Sequence, residues 1–563
     1  MGNFSISVIY LINLSIYWLY ISIVFLISFI PGLAFAGCFK NLSFLEKLSI
    51  SFGFSFIIIT LLVPFFAFKL HLLAQLIFAG IIIISIWYLL KIKSEFRFDR
   101  DVKFIALVFV FGLISKFLLQ IQWEYPVMGG DWFWHTFSLP YIFEQGNWMP
   151  PRDRTQLFSI LIYSIQKLLG TSFYQYWVSQ IISVVINSVY LFPAYLIAKK
   201  AFGERVARIS ALFMLVTPFL IFNTVYTWPK NAAMYGVLMM IYFLFFSELN
   251  MKLRYSLAGF FGGLGFWFHN YAIFYIGIAI LLLIYKEKMY VKHISKNVFN
   301  DIRLKKLFCF LLVSLIVIAP YFVWVYSYYG TFFTSKFVYY PFAVKGYESA
   351  LRGDKQELLD SFYSTPVKEI IMIRVSNAIV TLTPAALPIN PVATSFHTYN
   401  PIYYYSHDYP GSLSTLMYLV VMVWFIKYIL GKTKTDTVIV SFIVFPFLIN
   451  LFLWGWLEWG LVNQILHPTI PLLILLGINE LLKVNNKIKN ILVYVVFIGS
   501  FAENLIYAVL IGKFYQVEGG LNGVNLMAEQ YIPGFQISDF VSAHFLLNDV
   551  GFFGNIIVSL ITL

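Results

Sequence analysis

The stretch that decides the fold is residues 71–91, HLLAQLIFAGIIIISIWYLLK. A helix needs about 20 consecutive apolar residues to cross a hydrocarbon core of about 30 Å. Similar runs recur along the 563 residues, of which 60% are hydrophobic and 12% charged. The mean hydropathy is +0.80, which excludes a set of soluble domains. The sequence therefore predicts an all-α polytopic membrane protein, because long helices satisfy their own backbone hydrogen bonds in lipid.

The apolar runs predict about 13–14 transmembrane helices. They lie near residues 8–31, 47–68, 71–91, 104–122, 173–198, 207–224, 230–249, 254–268, 270–285, 306–327, 413–430, 436–456, 460–482 and 489–512. The first run has no basic region before it and no small-residue cleavage site, so we expect a retained span and not a signal peptide. A short apolar tail at 551–563 could lie in the interface or re-enter the membrane.

The distribution of charge predicts the orientation of the chain. The net charge is +13, and 26 of the 39 lysines and arginines fall in one alternating set of connections. The positive-inside rule assigns these connections to the cytoplasm, so the N-terminus should face outward. Because the basic residues do not follow one polar face, nucleic-acid binding is not expected. Cys38 and Cys309 are far apart in sequence, which argues against a disulfide or a thiolate metal site.

The same alternation places the unusual polar residues on the outer face. Residues 123–172 contain MGGDWFWH, in which Asp131 follows two glycines and precedes aromatic residues. An aspartate there could cap a helix. However, ionisable residues close to lipid usually have a function, and the loop continues through Glu144 into MPPRDRTQL at 149–157.

Three further outer features have both structural and functional interpretations. Lys230 ends the sequence YTWPK, where it could snorkel to the headgroups or bind an anion. His269 divides an apolar run that is too long for one span, where a simple polar turn is an equal alternative. His467 precedes Pro468 near the outer end of a predicted span, where a neighbouring group could satisfy it. None of these features is a recognised metal or phosphate motif by itself, and their common location makes them candidates.

Taken in order, these residues resemble the GT-C glycosyltransferases. The order is an early outer-loop Asp131, RDRT at 152–155, WPK at 228–230 and a break at His269. That superfamily takes sugars from polyprenyl-phosphate carriers and includes protein O-mannosyltransferases and aminoarabinose transferases. The resemblance covers roughly residues 104–285 well and the later spans loosely.

The resemblance implies roles for particular residues. Asp131 corresponds to the first-loop acidic residue that family members use as the general base or to orient the acceptor, and we expect it to be the general base. The donor phosphate would be bound by Arg154, Lys230 and His467, although relatives often carry an arginine at the last position. Supporting roles are expected for a larger set, which is Glu124, His135, Glu144, Arg152, Asp153 and His269. Relatives also often place a second acidic residue beside the first, whereas aromatic residues follow Asp131 here.

The resemblance also implies a domain organisation. Residues 1–103 would form extra N-terminal transmembrane helices, and residues 104–327 a GT-C-like core with the first outer loop at 123–172. A large extracytoplasmic loop would follow at 328–412, and C-terminal transmembrane helices with an outer loop at 413–563. Amphipathic helices are expected in the outer loops.

The function implied is the transfer of a sugar to an acceptor hydroxyl on the extracytoplasmic face of the plasma membrane, with inversion expected for a single displacement. The partners would be a polyprenyl-phosphate sugar, a glycan, lipid or protein acceptor, and the bilayer. No cofactor is certain, and a divalent cation stays open because Asp354, Glu357 and Asp408 show no ligand spacing. The alternatives are a lipid or glycan transporter or flippase, and a non-catalytic relative that binds lipid-linked sugar.

Overall fold

The structure, a computed structural model, is helical throughout the residues it describes, and no strand occurs among them. It describes residues 2–93, 98–120, 135–136, 139–146, 155–171, 176–225, 227–287, 302–330, 332, 340–344, 355–383, 412–433, 436–453, 455, 465–484 and 486–517. This architecture confirms the predicted all-α polytopic class.

The helices are numbered in chain order. The first twelve are α1 (Gly2–Gly37), α2 (Phe44–Thr60), α3 (Val63–Ala67), α4 (His71–Lys91), α5 (Arg100–Gln120), α6 (Leu139–Glu144), α7 (Leu157–Leu168), α8 (Tyr176–Ser188), α9 (Leu191–Phe202), α10 (Glu204–Leu215), α11 (Pro218–Val225) and α12 (Lys230–Phe245). The others are α13 (Met251–Phe268), α14 (Ala272–Lys286), α15 (Ile302–Tyr329), α16 (Lys355–Ser364), α17 (Val367–Leu382), α18 (Thr415–Ile429), α19 (Thr437–Leu453), α20 (Thr469–Leu481) and α21 (Asn486–Val517).

Several helices are long and apolar enough to cross a membrane. Among the described residues, five segments qualify by length and composition, which are Trp18–Gly37, Phe44–Ala67, His71–Lys91, Val178–Phe202 and Ile302–Ser327. Shorter apolar helices include α12, α14, α18, α19 and α20. The total of about 13–14 spans stays a prediction.

The predicted span at 207–224 is broken in the structure. Helices α10 and α11 meet at a bend of 58°. Pro218 lacks a backbone N–H and disfavours the helical conformation of the residue before it, so the helix ends at Leu215 and restarts at the proline.

The predicted division of the run at 254–285 is confirmed. Helix α13 ends at Phe268, where His269 adopts an extended backbone, and α14 begins at Ala272. Helix α13 also packs closely against α15. A Cβ added at Gly259 would lie 2.5 Å from the Phe310 carbonyl oxygen. Small residues of this kind let two helices pack closely in a membrane.

The chain divides into two compact units. The first comprises Met1–Pro193, Ile221–Tyr235 and Ala508–Leu563, and the second comprises Ala194–Leu220 and Gly236–Tyr507. Within the first unit, the fully buried Tyr235 of α12 reaches α2. Its hydroxyl donates to the Ser49 carbonyl oxygen at 2.6 Å and accepts from the Gly53 N–H at 3.1 Å. The N-terminal helices are therefore joined to the first turns of α12.

The N-terminal helices also contact α7 of the first unit. The Gln75 side chain in α4 donates to the Lys167 carbonyl oxygen in α7 at 2.9 Å. The Phe66 ring packs edge to face against Tyr163, with centroids 6.2 Å apart. Helices α2, α3 and α4 thus form the surface on which α7 lies.

Candidate functional site

The predicted site residues are distributed over both units. Lys230, His135 and Glu144 lie in the first unit, and His269 and His467 lie in the second. The remaining candidates, which are Asp131, Arg154, Glu124, Arg152 and Asp153, lie outside the described residues. In the first unit, the structure brings Lys230 and His135 close enough for the lysine charge to act on the imidazole.

Lys230 is the first residue of α12 and is 2% exposed. Its ammonium lies 3.9 Å from the centroid of the Trp228 ring. The negative face of the indole attracts a cation. Pro229 directly precedes the helix, and its fixed backbone angle favours a helix start. The N-terminus of α12 adds its own partial positive charge. Buried at this position, Lys230 is suited to bind an anion.

Asn187, near the end of α8, binds the backbone on both sides of Lys230, at Trp228 before α12 and at Ala232 in its first turn. Its side-chain amide donates to the Trp228 carbonyl oxygen at 2.7 Å, and its Oδ1 accepts from the Ala232 N–H at 3.0 Å. It therefore satisfies one of the free N–H groups in the first turn of α12. The interpretation of the sequence missed Asn187, although an asparagine inside an apolar run was a signal. The structure shows that it is fully buried.

Replacing Asn187 by leucine should destabilise the protein, because the Trp228 carbonyl and the Ala232 N–H would both lose a buried partner. Each lost partner costs about 1–3 kcal/mol of unfolding free energy. Thermal unfolding of the detergent-solubilised protein measures this effect. Ser183→Ala is the matched control, since it removes one hydrogen bond to the same amide and leaves the connection intact. Equal melting of Asn187→Leu and wild type would mean that packing alone holds the connection.

His135 is buried beside α7 and is held in its neutral form. Its Nδ1 lies 2.7 Å from the Ser159 Oγ, and its ring packs edge to face against Phe158. Burial lowers the pKa of His135 to about 3, and the charge of Lys230 acts in the same direction. The imidazole therefore adds no positive charge at neutral pH, and it can exchange a hydrogen bond with the serine according to its tautomer.

The depressed pKa of His135 predicts a loss of stability on acidification. Because the folded pKa is about 3 and the unfolded value is about 6.5, its contribution is complete above about pH 6.5 and is lost as the pH falls toward 3. Between pH 7.5 and 5 this loss amounts to about 2 kcal/mol. His135→Gln should flatten the pH dependence of the melting temperature by that amount, whereas Ser159→Ala, which keeps the imidazole, should not. An unchanged slope in His135→Gln would refute the assignment.

Glu144, the last residue of α6, joins this helix to α7. Its Oε2 accepts from the Lys167 ammonium at 2.7 Å and from the Tyr163 hydroxyl at 2.9 Å. Burial raises the pKa of this carboxyl, but the hydrogen bonds and charge of Lys167 outweigh it and keep the pKa below its ordinary value. The carboxylate is thus ionised and occupied, which favours a structural role.

The two candidate histidines of the second unit both contact Tyr271. The His467 ring is fully buried, with its centroid 4.6 Å from that of Phe219 and 5.9 Å from that of Tyr271. The His269 Nδ1 accepts from the Tyr271 N–H at 3.3 Å. Aromatic packing explains how the buried imidazole is accommodated at position 467. Its predicted contact with a lipid phosphate stays a prediction.

Comparison with known protein families gives one match. Residues 153–324 match the family of dolichyl-phosphate-mannose-protein mannosyltransferases. This mannosyltransferase match confirms the resemblance to the GT-C superfamily. No curated protein and no solved structure matches the chain.

The mannosyltransferase match covers about a third of the chain. It includes Arg154, Asn187, Lys230 and His269, and it begins after Asp131 and ends before His467. The buried cation at the start of α12 is therefore part of the matched region. Within the described part of the chain, no group of three histidine, cysteine, aspartate or glutamate residues could hold a metal ion.

Proposed function

We propose that this protein is a membrane glycosyltransferase that moves a sugar from a polyprenyl-phosphate carrier to an acceptor hydroxyl on the extracytoplasmic face. One observation carries the proposal. The buried Lys230 lies at a helix N-terminus, held through Trp228 and Asn187, inside the segment that matches the mannosyltransferase family. A buried cation at this end of a helix is suited to the charge that grows on a departing phosphate.

The reaction requires two chemical contributions. Asp131 takes the proton from the acceptor hydroxyl, a general-base contribution that is typically worth 10² to 10⁴-fold in rate. Lys230 and Arg154 stabilise the leaving phosphate, and the N-terminus of α12 adds to the local positive potential. A single displacement of this kind inverts the configuration at the sugar carbon.

The donor is a lipid, so the site lies at the outer edge of the plasma membrane, with the N-terminus of the chain outside. The acceptor is a hydroxyl of a glycan, a lipid or a protein. By the resemblance, His467 contributes to donor binding. The participation of a divalent cation in the reaction is left open. The placement of the N-terminus outside follows from the excess of lysine and arginine in the connections assigned to the cytoplasm.

The experiment that tests the function is a release assay in proteoliposomes. The purified full-length protein is reconstituted with polyprenyl-phosphate mannose and a membrane extract that supplies acceptors, and free polyprenyl phosphate is measured. A transferase releases the phosphate and labels an acceptor. A flippase moves the labelled lipid to the other leaflet without cleaving it, and that result would overturn the proposal. If a polyprenyl phosphate carrying a different sugar is cleaved and the mannose donor is not, the protein is still a transferase, and its donor sugar is that other sugar.

A further inference from the structure

The hydrogen bond between His135 and Ser159 determines which nitrogen of the imidazole carries its hydrogen. Both side chains are buried, since His135 is 4% and Ser159 0% exposed. The ring Nδ1 lies 2.7 Å from the Ser159 Oγ. Among the residues that the structure describes, neither side chain has another hydrogen-bond partner. The arrangement of their hydrogens therefore follows from these two side chains alone.

The imidazole is neutral, because burial and the charge of Lys230 lower its pKa to about 3. A neutral ring carries one hydrogen, on Nδ1 or on Nε2. If Nδ1 carries it, the ring donates to the serine, and both the serine hydrogen and the Nε2 lone pair lack a partner in the described part of the chain. If the serine donates to Nδ1, only the Nε2–H lacks one. Because each unpaired buried polar group costs free energy, the second arrangement is favoured.

The side chain that presents this Nε2–H lies near Lys230. The lysine charge acts on the imidazole, so the two groups are within electrostatic range of each other. Lys230 is 2% exposed, and buried charges are screened far less than exposed ones. The lysine would repel a second cation at position 135. A neutral N–H is not repelled, and it can add a hydrogen bond to an anion that the lysine attracts.

We propose that the Nε2–H of His135 donates a hydrogen bond to the phosphate of the polyprenyl carrier at Lys230, and that Ser159 is the positioning residue that keeps this hydrogen on Nε2. The inference rests on the proposed function and deepens it, because it names a neutral phosphate contact beside the cations. The competing interpretation is that the bond between His135 and Ser159 only fastens the chain at position 135 to α7.

Nitrogen NMR of the full-length protein labelled with ¹⁵N-histidine measures the tautomer directly, which a hydrogen-bond distance alone does not. The chain has eight histidines, and the signals that disappear in His135→Gln belong to position 135. We expect the Nε2–H form in the wild type at about pH 7.5 and a mixture of both forms in Ser159→Ala. Addition of farnesyl phosphate should shift the Nε2 signal of the wild type. An Nδ1–H form in the wild type would overturn the inference.

Binding measurements test the contact with phosphate. Dissociation constants for farnesyl phosphate and farnesol are measured with the same protein in detergent. His135→Phe keeps a ring without its nitrogens and should weaken farnesyl phosphate binding about tenfold or more, as for a lost hydrogen bond to a charged group. Ser159→Ala should weaken it about twofold to tenfold, because only the tautomer is released. Ser164→Ala, which removes another fully buried hydroxyl of α7, is the matched control and should bind normally.

The variant His135→Gln retains an N–H donor, so it should keep more affinity for farnesyl phosphate than His135→Phe does. Farnesol, which has no phosphate, should bind equally to all variants. Unchanged binding of farnesyl phosphate by His135→Phe, or an equal loss for farnesol, would overturn the inference. If His135→Phe does not fold, the wild-type spectrum carries the test. An Nε2 signal that stays in place while farnesyl phosphate binds would also overturn the inference.

The two proposals can fail separately. If the wild type releases polyprenyl phosphate while its Nε2 signal ignores bound farnesyl phosphate, only the inference about His135 fails. If farnesyl phosphate shifts this signal but no sugar donor is cleaved, the phosphate contact is supported and the transferase function fails. If the wild type neither binds farnesyl phosphate nor cleaves a donor, both proposals fail.

Discussion

Replacing Asp131 by asparagine is expected to lower sugar transfer by about 10² to 10⁴-fold, because the amide cannot accept the proton of the acceptor hydroxyl. Donor binding should change little, since the phosphate is held by cations. The release assay measures the rate, and the affinity for farnesyl phosphate measures binding. A parallel comparison of cell-envelope glycans in a deletion strain complemented by wild type or Asp131→Asn tests the same residue in the cell.

Glu144→Gln is the matched control for Asp131. It removes another carboxylate from the same outer loop, but this carboxylate is paired with Lys167 and Tyr163. We therefore expect a lower melting temperature with little change in transfer rate. Transfer by Asp131→Asn at the wild-type rate would reassign Asp131 as a helix cap or an interfacial anchor, and the transporter and binding-protein alternatives would then be favoured.

Replacing Lys230 by methionine should have the second largest effect. Removing one donor aimed at developing negative charge typically costs about 10² to 10³-fold in rate. Because we propose that the same ammonium also binds the donor phosphate in the ground state, the affinity for farnesyl phosphate should fall as well. Lys230→Arg keeps the charge and the contact with the Trp228 ring, and we expect it to retain part of the activity.

Lys200→Met is the control for Lys230. Lys200 pairs with Glu248 at 2.8 Å at an exposed position of the second unit, so its loss should leave both rate and affinity unchanged. If Lys230→Met transfers sugar normally, the lysine serves only the packing of Trp228. The phosphate would then have to be bound by Arg154 and His467.

The sequence predicted the helical segments well because apolar run length and turn residues are local properties. Residues 71–91 coincide with α4, Lys230 begins α12 as the preceding proline indicated, and the polar pair at His269 separates α13 from α14. The bend at Pro218 could have been foreseen from the same rule for proline, but the apolar run at 207–224 concealed it.

The sequence could not predict which polar side chains meet inside the first unit. Asn187 was overlooked because its partners, the Trp228 carbonyl and the Ala232 N–H, lie more than 40 positions away. Lys116 was visible as a charge inside a span, but its contact with Ser188 over 72 positions depends on the packing of α5 against α8. His135 was a supporting candidate, and its neutral state follows from burial, which composition does not reveal.

What the sequence by itself determined is the helical membrane class, the approximate helix boundaries, the resemblance to GT-C glycosyltransferases and the position of Lys230 at the start of a helix. These follow from hydropathy, proline and the order of polar residues, all of which can be read along the chain. Only the tertiary structure decided that Lys230 is buried on Trp228 and that Asn187 holds the start of α12. The physical reason is that burial and charge compensation depend on which helix faces pack together, and hydrophobicity that is nearly uniform around a membrane helix does not specify those faces.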